Sequence, residues 1–144
     1  MAQKDRGHYA QKHAPHNKLN QTIAKVVQDK AENGEMSCAI AFKIAGELDV
    51  LPAEVGLTLD LLEIPVIQCQ LGLFGYRPIK RIVKAAEVIS TPLEEAIHSK
   101  LVKGRLPCVA AWELAKSLMV PKMAVSKACE SLKIKICNCQ LGAF

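Results

Sequence analysis

Residues 20 to 74 lie over residues 90 to 144 at a fixed offset of 70, with no gap, and 15 of the 55 aligned pairs are identical. The identities run from Lys30 with Lys100 and Gly34 with Gly104, through Cys38 with Cys108, Ala41 with Ala111, Ala45 with Ala115, Leu48 with Leu118 and Val50 with Val120. They continue through Val55, Leu62 and Ile64 with Val125, Leu132 and Ile134, and close on a shared Cys-Gln-Leu-Gly-x-Phe at 69–74 and 139–144. A chain written twice in this way folds as two similar units. Each copy is near the lower size limit for a domain that folds unaided, so a pseudo-symmetric pair is expected, and two copies are too few for a solenoid.

Half of the residues are apolar, enough for a buried core. No apolar run approaches the roughly eighteen residues needed to span a bilayer, and the opening "MAQKDRGHYAQKH" has no apolar signal core. The expectation is a soluble, cytoplasmic protein with no membrane partner. Its six cysteines are then reduced thiols rather than a disulfide framework, with Cys38, Cys108 and Cys129 packed as small hydrophobes.

The second copy spells out its elements. In "STPLEEAIHSKLVKG", Ser90 or Thr91 caps a helix, Pro92 sits just inside it, Glu94 and Glu95 fall in the first turn, and Gly104 stops it. "LPCVAAWELAKSL" places Val109, Trp112, Leu114, Ala115 and Leu118 on a largely apolar face, and "VPKMAVSKACESL" starts a third helix after a short turn. In "IKIC" the period changes to that of a half-buried strand. The first copy repeats the order in "QTIAKVVQDKAENG", "SCAIAFKIAGELD", "LPAEVGLTLDLLE" and "IPVIQCQLG". The fold class expected is therefore mainly α with short β strands, a tandem duplication of a helix-helix-turn-helix-strand unit. The boundaries expected are a flexible basic arm at 1–19, an acidic repeat at 20–74, a basic linker at 75–89 and a basic repeat at 90–144.

The stretch "AWELAKSLMVPKMAVSKACESLKI" resembles the helix-turn-helix family on Ala111, Leu114, Ala115, Leu118, Val120, Val125 and Ser126. With the strand that follows, the resemblance extends to the winged-helix variant. It implies DNA binding, with the third helix of each copy in the recognition position. Only ten residues follow Ile134, too few for a two-stranded wing. The two CQLG strands are therefore expected to pair with each other or with a strand of another molecule, giving a possible homodimer through these strands or through the first repeat.

The two copies differ in charge. Residues 20–74 hold eight acids against three lysines, a net of −5, while residues 90–144 hold eight bases against four acids, a net of +4. By the resemblance, the second copy's third helix presents Lys122, Met123, Ser126 and Lys127, followed by Lys133 and Lys135. The first five are the candidate DNA-binding residues, suited to phosphate rather than to base reading, with no Arg, Asn or Gln among them. The first copy carries Pro52, Ala53, Glu54, Gly56, Leu57 and Thr58 at the matching places, a surface that repels phosphate and suits assembly. The function expected is a DNA-binding or transcription-associated protein; the alternative is a protein-interaction module that keeps the scaffold without DNA binding.

Other segments admit two readings each. The linker "GYRPIKRIVK" lies along a nucleic-acid backbone or packs on the repeats through Ile79, Ile82 and Val83. The arm, with four bases and three histidines, is expected to be disordered, either wrapping a partner or simply solvated. Cys69, Cys137 and Cys139, with His8, His13 and His16, are the candidates for a thiol-based metal or redox sensor, although C-x-C is not the usual zinc spacing and packing is the favoured role. No phosphate loop, nucleophile elbow or defensible acid–base pair appears, so neither an enzyme nor a cofactor is expected.

Overall fold

In the computed structural model residues 9–13, 18–76 and 82–144 are described. The expectations for His8, His16 and Ile79 fall outside them.

Helix α1 (Gln21–Lys30) starts where Asn20 accepts the Ile23 amide at 3.1 Å on its side-chain oxygen, and it buries Ile23, Ala24 and Val27. Its counterpart α4 (Thr91–Ser99) starts in the same way on Ser90, which accepts the Leu93 amide, and it buries Leu93 and Ile97. A side-chain acceptor at this position satisfies an amide that has no carbonyl within the helix. Each first helix leads to a tight turn and a two-residue strand, β1 (Met36–Ser37) and β3 (Leu106–Pro107). The second helices are α2 (Cys38–Leu48) and α5 (Cys108–Ser117); the third are α3 (Pro52–Leu61) and α6 (Lys122–Leu132). The copies close on β2 (Val66–Ile67) and β4 (Ile136–Cys137). The protein is mainly helical with short strands, and the same order of elements runs through it twice.

The backbone repeats as closely as the element order. Among the described residues, all eight non-glycine residues with positive φ fall into pairs 70 apart: Asn33 with Lys103, Asp49 with Met119, Glu63 with Lys133 and Gln68 with Asn138. The αL residue between the second and third helices is Asp49 in one copy and Met119 in the other. In both, the next valine donates back into the second helix, Val50 to Ala45 and Val120 to Ala115, each at 3.0 Å. Beyond the third helix, Ile64 donates to Leu59 and Ile134 to Cys129, each at 2.9 Å, turning the chain toward the strand.

Strand pairing departs from the expectation. β2 pairs in parallel with β1 (Met36 beside Val66, Ser37 beside Ile67), and β4 pairs in parallel with β3 (Leu106 beside Ile136, Pro107 beside Cys137). The strand that ends each copy is thus partnered inside that copy rather than by the other CQLG strand. Two residues before the second helix are too few to show a period-2 pattern, so the partner was hidden in the sequence. The helical pair between the two strands supplies the long crossover that parallel pairing requires. Each sheet therefore has two parallel strands in place of an antiparallel wing.

The compact units cut the chain at different places from the repeat. Unit 1 consists of Met1–Cys69 with Gln140–Phe144, and unit 2 of Gln70–Cys139. The Gln-Leu-Gly segment that ends each copy in sequence thus completes the unit built on the other copy. In unit 1 the core gathers Ile23, Val27, Met36, Ala41, Ile44, Val55 and Leu59, and Leu141 is buried with them at 2% exposure. The main chain of Leu141 crosses α3 at Gly56, where a Cβ would lie 1.8 Å from the Leu141 oxygen. In unit 2 the core gathers Ile97, Leu106, Ala111, Leu114, Val125, Ala128 and Cys129, with Leu71 and Phe74 buried as well. There the close approach is at Gly72, where a Cβ would meet Val83 Cγ2 at 2.7 Å and Met123 Cε at 3.3 Å.

Part of the arm has regular structure. Tyr9–Lys12 forms a 3-10 turn in contact with α3, and Tyr9 is 6% exposed.

Candidate nucleic-acid interface

Helix α6 opens after Pro121 with no side-chain cap and no acid in its first turn. Its first residue, Lys122, is half-buried because its ammonium lies over the Trp112 ring of α5, 4.5 Å from the centroid. A cation over an indole face is held by the ring quadrupole, so this lysine is restrained close to the surface. Met123 is half-buried beside Gly72.

Ser126, expected among the presented residues, is instead 2% exposed, and its hydroxyl has no hydrogen-bond partner among the described residues. Gln70–Tyr76 belongs to the same compact unit as α6, and the segment from Ile82 onward runs alongside the helix. There Ala86 donates its amide to the Lys127 carbonyl at 3.1 Å, and Ser131 Oγ donates to the Ala86 carbonyl. The two positions most suited to reaching base edges, Met123 and Ser126, are therefore packed rather than presented.

Lys127 and Lys133 are exposed. Lys133 stands at the far end of the helix in the αL conformation (φ 58°), donating its amide back to Glu130 at 3.3 Å. The five candidates thus separate into exposed cations, a restrained Lys122 and two buried or half-buried side chains.

A second group of exposed cations stands on the strand side of this unit. Between α4 and β3, Val102 and Arg105 exchange backbone hydrogen bonds of 2.7 and 3.0 Å around Lys103 (φ 52°) and Gly104 (φ 78°). Successive positive φ values are those of a type I′ turn. Leu106 then donates its amide to the Lys135 carbonyl at 3.0 Å, so Arg105 and Lys135 sit on neighbouring strand ends. Lys100, Lys103, Arg105, Lys133 and Lys135 are all exposed.

The equivalent place in unit 1 has a different use, which the sequence did not reveal. Glu63, at the position matching Lys133, accepts the Tyr9 amide at 2.8 Å and the Ala10 amide at 3.2 Å. His13 Nε2 meets Asp60 Oδ2 at 2.8 Å. The only advance signal was a pair of carboxylates three residues apart at the end of α3 and an arm of opposite charge.

None of the six cysteines is in a disulfide. Cys69 is buried and Cys137 and Cys139 are half-buried, and among the described residues no three His, Cys, Asp or Glu side chains come together as a metal set. Burial pushes the Cys129 thiol up to about 11, since a thiolate there would lose its hydration. Among the described residues no helix is long and apolar enough to cross a membrane.

No protein family, curated protein or solved structure matches the chain.

Proposed function

We propose that this is a DNA-binding or transcription-associated protein of the cytoplasm that holds nucleic acid by its phosphates through the second copy, while the acidic first copy serves assembly. The observation that carries this reading is the exposure of Lys127 on α6 and of Lys133 just beyond its end, in a copy whose net charge is +4. Lysines bind phosphate as point charges and do not need a fixed fork. The burial of Ser126 and the packing of Met123 support backbone contact without base reading.

Fluorescence anisotropy of a labelled random-sequence duplex, titrated at low and moderate salt, tests the reading. Micromolar binding that weakens steeply with salt is expected, because each phosphate contact releases condensed counterions. Lys127→Glu with Lys133→Glu should weaken binding by about tenfold or more at low salt. Absence of binding by the unsubstituted protein at low salt would overturn the proposal.

The same packing of Met123 and Ser126 favours a second reading, a protein-interaction module on this scaffold. That reading expects no affinity for duplex DNA at any salt concentration and a proteinaceous partner for one of the copies.

A further inference from the structure

The chain contains its own control for what the fold requires. The turn and strand end at 102–105 and 133–135 have the same backbone as those at 32–35 and 63–65, with the left-handed residues at matching places. On that shared backbone the side chains are inverted in charge. Unit 1 carries Glu32, Asn33, Glu35, Glu63 and Pro65; unit 2 carries Val102, Lys103, Arg105, Lys133 and Lys135. Since acids serve one copy and bases the other, the fold itself demands neither.

The four cations of unit 2 are exposed, and none forms an ion pair with a carboxylate of the described residues. Their carriers are well fixed. The I′ turn is closed by two backbone hydrogen bonds, and Arg105 lies beside Lys135 at the strand spacing of about 4.8 Å. Because unit 1 places acids on the same frame, the fold does not require cations here, and like charges on one short edge carry a cost of mutual repulsion. A bound polyanion removes it.

From this we infer that the edge formed by Lys103, Arg105 and Lys135, with Lys133 shared, is the principal phosphate-binding surface of the protein, and that it takes the sugar-phosphate backbone of a nucleic acid. The exposed face of α6 then acts beside it rather than alone. Arg105 supplies a bidentate fork and the lysines supply point charges, the combination suited to successive phosphates. The inference rests on the nucleic-acid reading proposed above and moves its centre from the recognition helix to the turn and strand end.

The test compares three double variants of the full chain, each removing two positive charges: Lys103→Gln with Arg105→Gln, Lys122→Gln with Lys127→Gln, and Lys25→Gln with Lys43→Gln on exposed sites of unit 1. Equal changes in net charge cancel the long-range term, so differences report local contact. For the edge variant we expect a salt-dependence slope smaller by about two and affinity at low salt reduced by roughly tenfold, with the unit 1 variant near the unsubstituted protein. Circular dichroism melts of all three check that the fold persists.

If the edge variant binds as the unit 1 variant does while Lys122→Gln with Lys127→Gln loses affinity, the inference fails and the nucleic-acid reading stands. If the unsubstituted protein binds no duplex at low salt, both fail together. Should the edge variant lose its fold, Lys103→Gln and Lys135→Gln singly provide the same comparison, each expected to lower the slope by about one.

Discussion

Gly56 sits where the Leu141 main chain crosses α3, and its counterpart in the other copy is Ser126. The pair illustrates how one backbone position can be used in two ways. At Gly56 there is no room for a methyl group, so Gly56→Ala forces the Leu141 segment away. It should cost about 1–3 kcal/mol in urea unfolding, the usual penalty for overpacking. Ser126 already carries a Cβ and hides a hydroxyl with no hydrogen-bond partner among the described residues. Ser126→Ala removes a buried group that gains nothing from burial, so the same experiment should find stability unchanged or slightly raised. Cys129 offers a chemical probe of its own. Its thiol pKa lies at about 11 against an ordinary 9.0, so the folded protein keeps the proton over a pH range in which the unfolded chain has lost it. Stability therefore falls as pH rises from about 9 to about 11. With iodoacetamide near pH 8, Cys137 and Cys139 should be modified in the native protein and Cys129 only after denaturation, as mass mapping of the adducts would show.

At the scale of elements, much could be read directly from the sequence. The Ser90 cap, the proline inside α4 and the three-helix order follow from residue types with definite backbone preferences, whereas α4 ends at Ser99 rather than at the expected stop, Gly104. Three features could not be read. A two-residue strand leaves no period, so β1 and β3 were invisible and their parallel pairing with it. Leu71 and Leu141 are apolar in either assignment, so local pattern cannot say which unit buries them. The docking of the arm depends on Glu63 and Asp60 meeting backbone amides and a histidine 47 to 54 residues away, a long-range match that leaves no periodic trace. The site was legible only in part: the lysines of α6 stood out by type, while the burial of Ser126 and the packing of Met123 beside Gly72 left no local trace. The arm can be tested directly. Glu63→Gln weakens the acceptor for two amides, and Asp60→Asn removes the charge that faces His13. Hydrogen exchange read by mass spectrometry should show the Tyr9 and Ala10 amides exchanging several-fold faster in the double variant, with α4–α6 unaffected.

For the whole molecule, two copies of one backbone carry opposite net charge. The left-handed residues fall at matching places in both, while the exposed positions are acidic in one copy and basic in the other and core residues differ in size, as Leu59 does from Cys129. Removing Gln140–Phe144 tests the division into units. The deletion takes Leu141 and Ala143 from unit 1 and nothing from unit 2, so amide protection should fall in α1–α3 and persist in α4–α6 when exchange is followed residue by residue. The exchange of tails also sets a timetable. Unit 2 is a single continuous stretch, Gln70–Cys139, and has all of its residues before unit 1 does. Unit 1 waits for residues that follow its own last helix by nearly eighty positions. Closing so long a loop adds little to the equilibrium cost, because that cost grows only logarithmically with length, but it slows the approach to the native state. On the ribosome the first copy to be synthesised thus lacks the Leu141 main chain over Gly56 until Gln140–Phe144 have been made.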